Sequence, residues 1–399
     1  MVAETTLVHN PVALLQALIR IPSPNPPGDT QQIARFIADL MQSIGCDVRL
    51  LAPPEKPEAL SAIGIFGSGD PVVMLHAHID TVPIADAEAE RWSVDPYGGA
   101  IADGKIYGKG SIDDKAPLAA MISALAYAAD HRDRLQGTIV LVAAAEEEVG
   151  GQLGTRWLAE NGHLPQCDFI VVGEQTDNRV ANAHKGVMRA TVRAVGRSVH
   201  ATNPDRGINA IAMMARAVLA LEAYHQALAD RVHPTVGVPT CNVGVIQGGS
   251  TANAVPDTCV AYLDRRMIPG EDPQIVKCEL ETVIAGVDLS PYGEDAHLTI
   301  GDFLVSNWYE STVQSKLARH FMTAVRDTLN ISPGPIGYLP GSDAKHLVGV
   351  NRGEMIIFGP GTYEVAHAFD EYTRIEDLEA ATRILRLFID RAMLNGDVS

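Results

Sequence analysis

The sequence predicts an α/β protein with a smaller α+β domain inserted into it. Four short aliphatic runs, bounded by Gly, Pro or charged residues, alternate with helix-period stretches in the first and last parts of the chain. Between Gly186 and Ser306 the pattern changes to strand, helix, strand, strand, helix, strand. After that segment the first pattern resumes, which makes the middle an insertion.

Taken in order, Gln31–Ile44 places Ile33, Phe36, Ile37, Leu40 and Met41 on one helical face. Pro71–Leu75 (PVVML) reads as a buried strand. Ala116–Ala129 is Ala-rich and apolar, a helix packed under the sheet. Thr138–Ala144 (TIVLVAA) and Phe169–Val172 (FIVV) are the next buried strands. In the insertion the expected strands are Val187–Val195, Thr240–Ile246, Thr258–Ile268 and His297–Val305. Its helices are Asn209–Gln226 and Pro273–Ala285, the order of a ferredoxin-like unit. Met355–Phe358 (MIIF) is the last buried strand, and Leu378–Met393 a terminal amphipathic helix. The expected domains are 1–185 plus 307–399, and 186–306.

A chain of 399 residues, 46% hydrophobic and 20% charged, can bury the core this organisation needs. Its formal charge of −18 argues against nucleic acid and against an anionic membrane surface. Small anionic substrates stay open, since a local Arg or Lys can hold them. The five cysteines (Cys46, Cys167, Cys241, Cys259 and Cys278) are odd in number and show no Cys-x-x-Cys spacing. They read as reduced thiols of a cytoplasmic protein. The N-terminal stretch carries Glu4, lacks a basic region and has helical apolar spacing, unlike a secretory signal. No apolar run reaches the length of a membrane span.

The chemistry follows the buried strands. After PVVML comes His76-Ala77-His78-Ile79-Asp80, and after TIVLVAA come Ala145 and then Glu146, Glu147 and Glu148. After FIVV comes Gly173-Glu174, and after MIIF a Gly-Pro-Gly turn and then His367. Sites of open α/β sheets form outside the carboxyl ends of their strands. Four strand ends thus deliver imidazole or carboxylate to one edge. Asp113 and Asp114, just before the Ala-rich helix, leave two readings open: Asp113 as a ligand, or either residue as a helix cap favoured by the dipole. Each of these residues alone has an ordinary structural explanation; their joint placement favours a site.

Nitrogen and carboxylate donors together suit Zn²⁺, and less specifically Mn²⁺ or Co²⁺. Two His and three carboxylates exceed the needs of one catalytic ion. They suit two ions about 3.5 Å apart sharing a carboxylate. Asp80, two residues after His78, can accept its other ring N–H and fix its tautomer. Competing motifs are absent: no Gly-x-Ser-x-Gly elbow, no phosphate-binding loop, no dinucleotide fingerprint and no His-Glu-x-x-His.

These residues resemble the M20 metallopeptidases, among them acetylornithine deacetylase, succinyl-diaminopimelate desuccinylase and carboxypeptidase G2. The similarity rests on His78-Ile79-Asp80, Gly108–Asp113, Glu147-Glu148-Val149-Gly150 and Val172-Gly173-Glu174. It continues in Ser198–Ala201, Asn253–Pro256, Asp264-Arg265-Arg266 and Ala366-His367. The resemblance implies a phosphorylase/hydrolase-like di-metal catalytic domain with an inserted lid and dimerisation domain. It implies that Asp113 bridges two divalent ions, with His78 and Glu174 completing one site and Glu148 and His367 the other. Asp80 would orient His78, and the peptide after Asp113 would be cis. Glu147 would be the general base acting on a bridging water. His200 would reach from the lid of a partner subunit and polarise the substrate oxygen. Asn253 and Arg266 look like substrate contacts, with Arg266 suited to a carboxylate. The segment Gly337–Asp343 resembles a substrate loop in which Gly341 and Ser342 supply contacts.

The expected activity is metal-dependent hydrolysis of an amide bond in a small N-acyl amino acid or dipeptide, by a homodimer. Two alternatives stay open: another C–N bond, in an aromatic amine or carbamoyl compound, or a non-catalytic homologue that only binds metal and ligand.

Overall fold

The computed structural model describes residues 4–331 and 334–395. Of the N-terminal stretch read above, Met1–Ala3 lie outside the described residues. The chain forms two compact units. One runs to Asn182 and resumes over Ser311–Tyr338 and from Ser342; the other comprises Ala183–Glu310 with Leu339–Gly341.

The first unit is built on a twisted sheet in the order Asp47–Leu51, Ser61–Ser68, Gly137–Ala144, Val72–His78, Cys167–Gly173, Asn351–Phe358. The last four are mutually parallel, and the first two join antiparallel at the edge. Their β-branched and aliphatic residues are covered on both faces, as a parallel sheet requires. Helix Lys115–Asp130 is buried along nearly its whole length. Its alanines let it lie close to its neighbours. Helix Gln31–Ile44 buries Ile33, Ile37, Leu40, Met41 and Ile44 and ends at Gly45, whose φ of 99° is the left-handed cap glycine provides. Phe169, Phe321, Phe358 and Phe388 cluster with ring centroids 4.9–6.2 Å apart and join sheet to helices.

Two features differ from expectation. The strand read as ending at Leu75 runs on to His78, because Gly137–Ala144 extends equally far and pairs His76 with Val142 and His78 with Ala144. His76 and His78 are therefore part of the ladder. The strands Asp47–Leu51 and Ser61–Ser68 were not expected: the first is short and half-exposed, and Gly64 and Gly67 break the apolar run of the second. A Cβ on Gly64 would lie 2.5 Å from Met41 Sδ, so the glycine admits the helix packed against it.

The second unit is a four-stranded antiparallel sheet in the order Thr240–Gly248, Thr258–Met267, Gly186–Val195, His297–Ser306. Helices Ala210–Ala227 and Pro273–Ala285 bury Met213, Met214, Leu221, Val276 and Leu280 in the core they share with the sheet. This is the ferredoxin-like arrangement. Asn209, expected as the first helical residue, is the N-cap and accepts the Ala212 N–H at 3.0 Å. The mixed α/β class holds for the chain.

Candidate metal centre

In the first unit the carboxyl ends of the parallel strands meet the loop Gly108–Asp114. His78 is the last residue of its strand. Glu146–Glu148 follow Gly137–Ala144, and Glu174 follows Cys167–Gly173. His367 lies beyond the turn after Asn351–Phe358, in a left-handed conformation with φ 61°.

Asp113 is the meeting point. Its Oδ1 lies 2.9 Å from His78 Nε2, and its Oδ2 lies 3.0 Å from His367 Nε2. His367 Nε2 is also 3.2 Å from Glu148 Oε2. Two groups of possible ligands result, each with donor atoms within 4.8 Å of one another: His78, Asp113 and Glu174, and Asp113, Glu148 and His367. The cap reading fails for its neighbour. Asp114 stands at the helix N-cap without a side-chain cap bond, and its Oδ2 accepts the His78 N–H at 3.2 Å. The Asp113–Asp114 peptide is cis.

Asp80 lies beside His78, as expected, and has further partners. His78 Nδ1 lies 3.0 Å from the backbone oxygen of Asp80 and 3.6 Å from its carboxylate. The carboxylate is turned to the next loop. It accepts the N–H groups of Glu147 at 3.1 Å and Glu148 at 3.2 Å, and Asn25 Nδ2 at 2.9 Å. Glu146, with φ 74°, turns away and pairs with Lys56 Nζ at 2.5 Å. Only Glu147 and Glu148 of the acidic run are thereby directed to the site. Glu147 Oε1 is 3.7 Å from Lys345 Nζ, itself bonded to the Ser342 carbonyl at 2.9 Å. His76 belongs to a separate buried chain: its Nε2 is 2.7 Å from Thr155 Oγ1, which donates to Asp343 Oδ2 at 2.5 Å.

Sequence reasoning passed over Asn25, Gln175, Tyr338 and Lys345. Gln175 Nε2 donates to Asp113 Oδ1 at 3.0 Å. The Tyr338 hydroxyl lies 2.8 Å from Glu174 Oε2. Gln175 directly follows an expected ligand and could have been considered on that ground; Asn25 carries no such signal.

The electrostatics are those of an anion-rich pocket. Burial raises the carboxyl of Glu147 to about 8 and pushes those of Glu148 and Glu174 upward, with nearby acids adding to the effect. Burial opposes charge on Asp113 too, but hydrogen bonds from His367 and His78 hold its carboxyl below the ordinary range. Bonds to Asp113 and Glu148 raise His367 to about 10. Protons on the imidazoles thus occupy positions that cations can take. Buried carboxylate oxygens and imidazole nitrogens converging on two points fit a pair of divalent ions.

The remaining candidates have the following local settings. On the second unit, His200 is exposed, and its Nδ1 is 2.9 Å from Thr202 Oγ1. Asn253 Oδ1 accepts from Thr251 Oγ1 at 2.6 Å. Arg266 is held by Asp264 at 2.7 Å. Its neighbour Arg265 is fully buried on Glu271 at 2.6 Å and is structural. Gly341 belongs to the second unit. Ser342, in the first, is fully buried, and its Oγ accepts the Ala344 N–H at 3.3 Å.

An α/β sheet whose parallel strand ends gather two His/carboxylate groups around one shared aspartate defines a class of metal-dependent hydrolase. The comparison with known families says which: the chain belongs to Peptidase family M20/M25/M40, whose model matches residues 74–391. It is an enzyme of that hydrolase family. It is 26% identical over 371 residues to an acetylornithine deacetylase of Proteus mirabilis, covering 91% of this chain and 90% of that protein. It is 28% identical over 393 residues to a probable succinyl-diaminopimelate desuccinylase of Staphylococcus epidermidis, covering 91% and 93%. Among solved structures, an M20 family metallo-carboxypeptidase from Sulfolobus solfataricus superposes with a TM-score of 0.76 at 17% identity, covering 95% of this chain and 98% of that one. A dinuclear metal-binding M20 peptidase of Bacillus subtilis gives 0.67 at 16%, covering 97% and 98%. Among the described residues no helix is long and apolar enough to cross a membrane.

Proposed function

We propose that the chain hydrolyses the amide C–N bond of a small N-acyl amino acid or dipeptide with the help of two divalent ions. The observation that carries this reading is Asp113, whose two carboxylate oxygens face different histidines and belong to two separate donor groups. His78, Asp113 and Glu174 would hold one ion; Asp113, Glu148 and His367 the other. Zn²⁺ suits the donors first, with Mn²⁺ or Co²⁺ as alternatives. When bound, such ions polarise a carbonyl oxygen and lower the pKa of water toward neutrality.

The chain's own residues do the rest. Glu147 takes the proton from the attacking water and returns it to the leaving amine. In the metal-free chain, burial raises its proton affinity above that of an ordinary carboxylate. Its backbone is fixed by Asp80, so that carboxylate acts as an orienting group for the base as well as lying beside His78. His200 of the partner subunit stabilises the developing oxyanion in a homodimer joined through the inserted unit. Arg266 exchanges Asp264 for a substrate carboxylate, and Asn253, Gly341 and Ser342 complete the contacts. The deacetylase and desuccinylase relatives support an N-acyl substrate carrying a carboxylate. Five free cysteines suit the reducing cytoplasm.

The test is Glu147→Gln. This variant should keep its metal content and lose about 10²- to 10⁴-fold in kcat. A screen over N-acetyl, N-succinyl and N-formyl amino acids, dipeptides and aminobenzoates, with each metal added, supplies the substrate. Near-normal turnover by the variant removes Glu147 as the base.

A further inference from the structure

Asp113 is delivered by a turn with no regular structure of its own. The strand Lys105–Tyr107 ends before it and helix Lys115–Asp130 begins after it. What holds the turn comes from the far end of the sequence. Glu371 is 1% exposed, and its Oε1 accepts the backbone N–H groups of Ile112 at 3.0 Å and Asp113 at 3.3 Å. Its carbonyl accepts the Gly108 N–H at 2.9 Å. Thr373 Oγ1 donates to the Ser111 carbonyl at 2.6 Å, and Tyr372–Arg374 pairs with Lys105–Tyr107. The turn is therefore closed along its length against one short strand.

Two further observations give the closure a purpose. Glu371 Oε2 lies 3.7 Å from Lys109 Nζ, and both side chains are 1% exposed. An ion pair buried in this way is an expensive means of stabilising a loop, since apolar residues of the same volume usually do as well. Glu371 also lies four residues after His367 in the sequence. The segment between them is pinned by the Ser93 N–H on Asp370 Oδ1 at 2.8 Å and by Arg91 over the Phe369 ring at 4.0 Å. One carboxylate thus ties the backbone of Asp113 to the strand that follows His367.

We propose that Glu371, held by Lys109, is a positioning residue of the metal centre: it fixes Asp113 and His367 relative to each other and so sets the affinity for the ion taken by Asp113, Glu148 and His367. This rests on the two-cation reading above. Groups that orient ligands typically alter metal affinity about 10- to 100-fold when removed.

The experiment titrates metal-stripped wild type and variants with Zn²⁺ by calorimetry, and records the visible spectrum of the Co²⁺-loaded proteins as a report on ligand geometry. Glu371→Ala should bind the ion of the Asp113, Glu148 and His367 group about 10- to 100-fold less tightly and shift the Co²⁺ spectrum. Glu371→Gln keeps an acceptor for the two N–H groups but sets a neutral amide against Lys109, and should lose less. Adding Lys109→Met to Glu371→Gln should restore much of the affinity. A purely structural role would lower the melting temperature while leaving Zn²⁺ affinity and the Co²⁺ spectrum of the folded protein unchanged; that result overturns the proposal. Should Glu371→Ala not fold, the other two variants decide: unchanged affinity in Glu371→Gln, or no recovery in the double variant, also overturns it. Wild type that takes up no Zn²⁺ overturns the two-cation reading and this inference with it.

Discussion

The two donor groups around Asp113 use the same chemistry on different supports. His78 ends a central strand, has a side chain only 2% exposed, and has its ring nitrogen fixed by the Asp80 carbonyl. Glu174 follows the neighbouring strand and lies beside the Tyr338 hydroxyl. His367 instead sits on a loop in a left-handed conformation, with its side chain 53% exposed. A strand-borne ligand set is preorganised by the ladder itself, whereas a loop-borne set depends on the contacts that hold the loop. The first group should therefore bind its ion more tightly, and the second should be the one that exchanges and responds to conditions.

The largest effect expected from this comparison is that of Asp113→Ala. It removes a ligand from both groups, so neither Zn²⁺ equivalent should bind and turnover should be lost. His367→Ala should remove one equivalent and leave the tighter one, as measured by metal analysis after dialysis. Loss of both in His367→Ala would mean that the two groups are not separable.

A pH effect is next. In the metal-stripped protein, bonds to Asp113 and Glu148 raise His367 to about 10. A group raised above its unfolded value stabilises the fold fully below that value, about 6.5 for histidine, and loses the contribution as pH rises through the folded one. Glu147, raised by burial to about 8, acts with the same sign from its own lower starting point. The contribution of His367 to the stability of the stripped protein, read as the difference in melting temperature from a stripped His367→Ala variant, should therefore shrink from about pH 6.5 to about pH 10. The Zn²⁺-loaded protein, whose imidazoles are already deprotonated, should not follow this trend. Parallel curves for the two forms would break the link between those protons and the cation positions.

The smallest effect is expected from Tyr338→Phe. It removes one hydroxyl from Glu174, a neutral-donor bond worth about 1 kcal/mol, or about fivefold in affinity for the strand-borne ion. The weaker equivalent should be unaffected. An equal change in both would show that the groups share more than Asp113.

Much of this centre was legible in the sequence because its residues follow apolar runs. His78, Glu148 and Glu174 could be read as strand-end donors since a parallel sheet brings such ends to one edge. The position of Asp113 was legible, but spacing alone left its role open, since a cap and a ligand look alike before a helix; the resemblance to the M20 enzymes favoured a ligand, and its distances to both His78 and His367 suit that reading. Periodicity could not divide Glu146 from Glu147 and Glu148 either. The resemblance to the M20 enzymes did so, and the left-handed turn at Glu146 gives the physical reason. Asn25 and Glu371 were unreadable because their partners lie 55 and 258 residues away and the contacts exist only once the sheet has formed. The strand Ser61–Ser68 escaped notice for a local reason, Gly64 and Gly67, of which Gly64 admits the packed helix.

The central claim is that one aspartate is shared by two ions. Crystals of the Zn²⁺-loaded protein, with anomalous difference maps at the zinc edge, test it most directly. Two peaks about 3.5 Å apart are expected, one on each side of the Asp113 carboxylate, bound by His78 and Glu174 and by Glu148 and His367. A single peak, or two peaks of which only one touches Asp113, would contradict it.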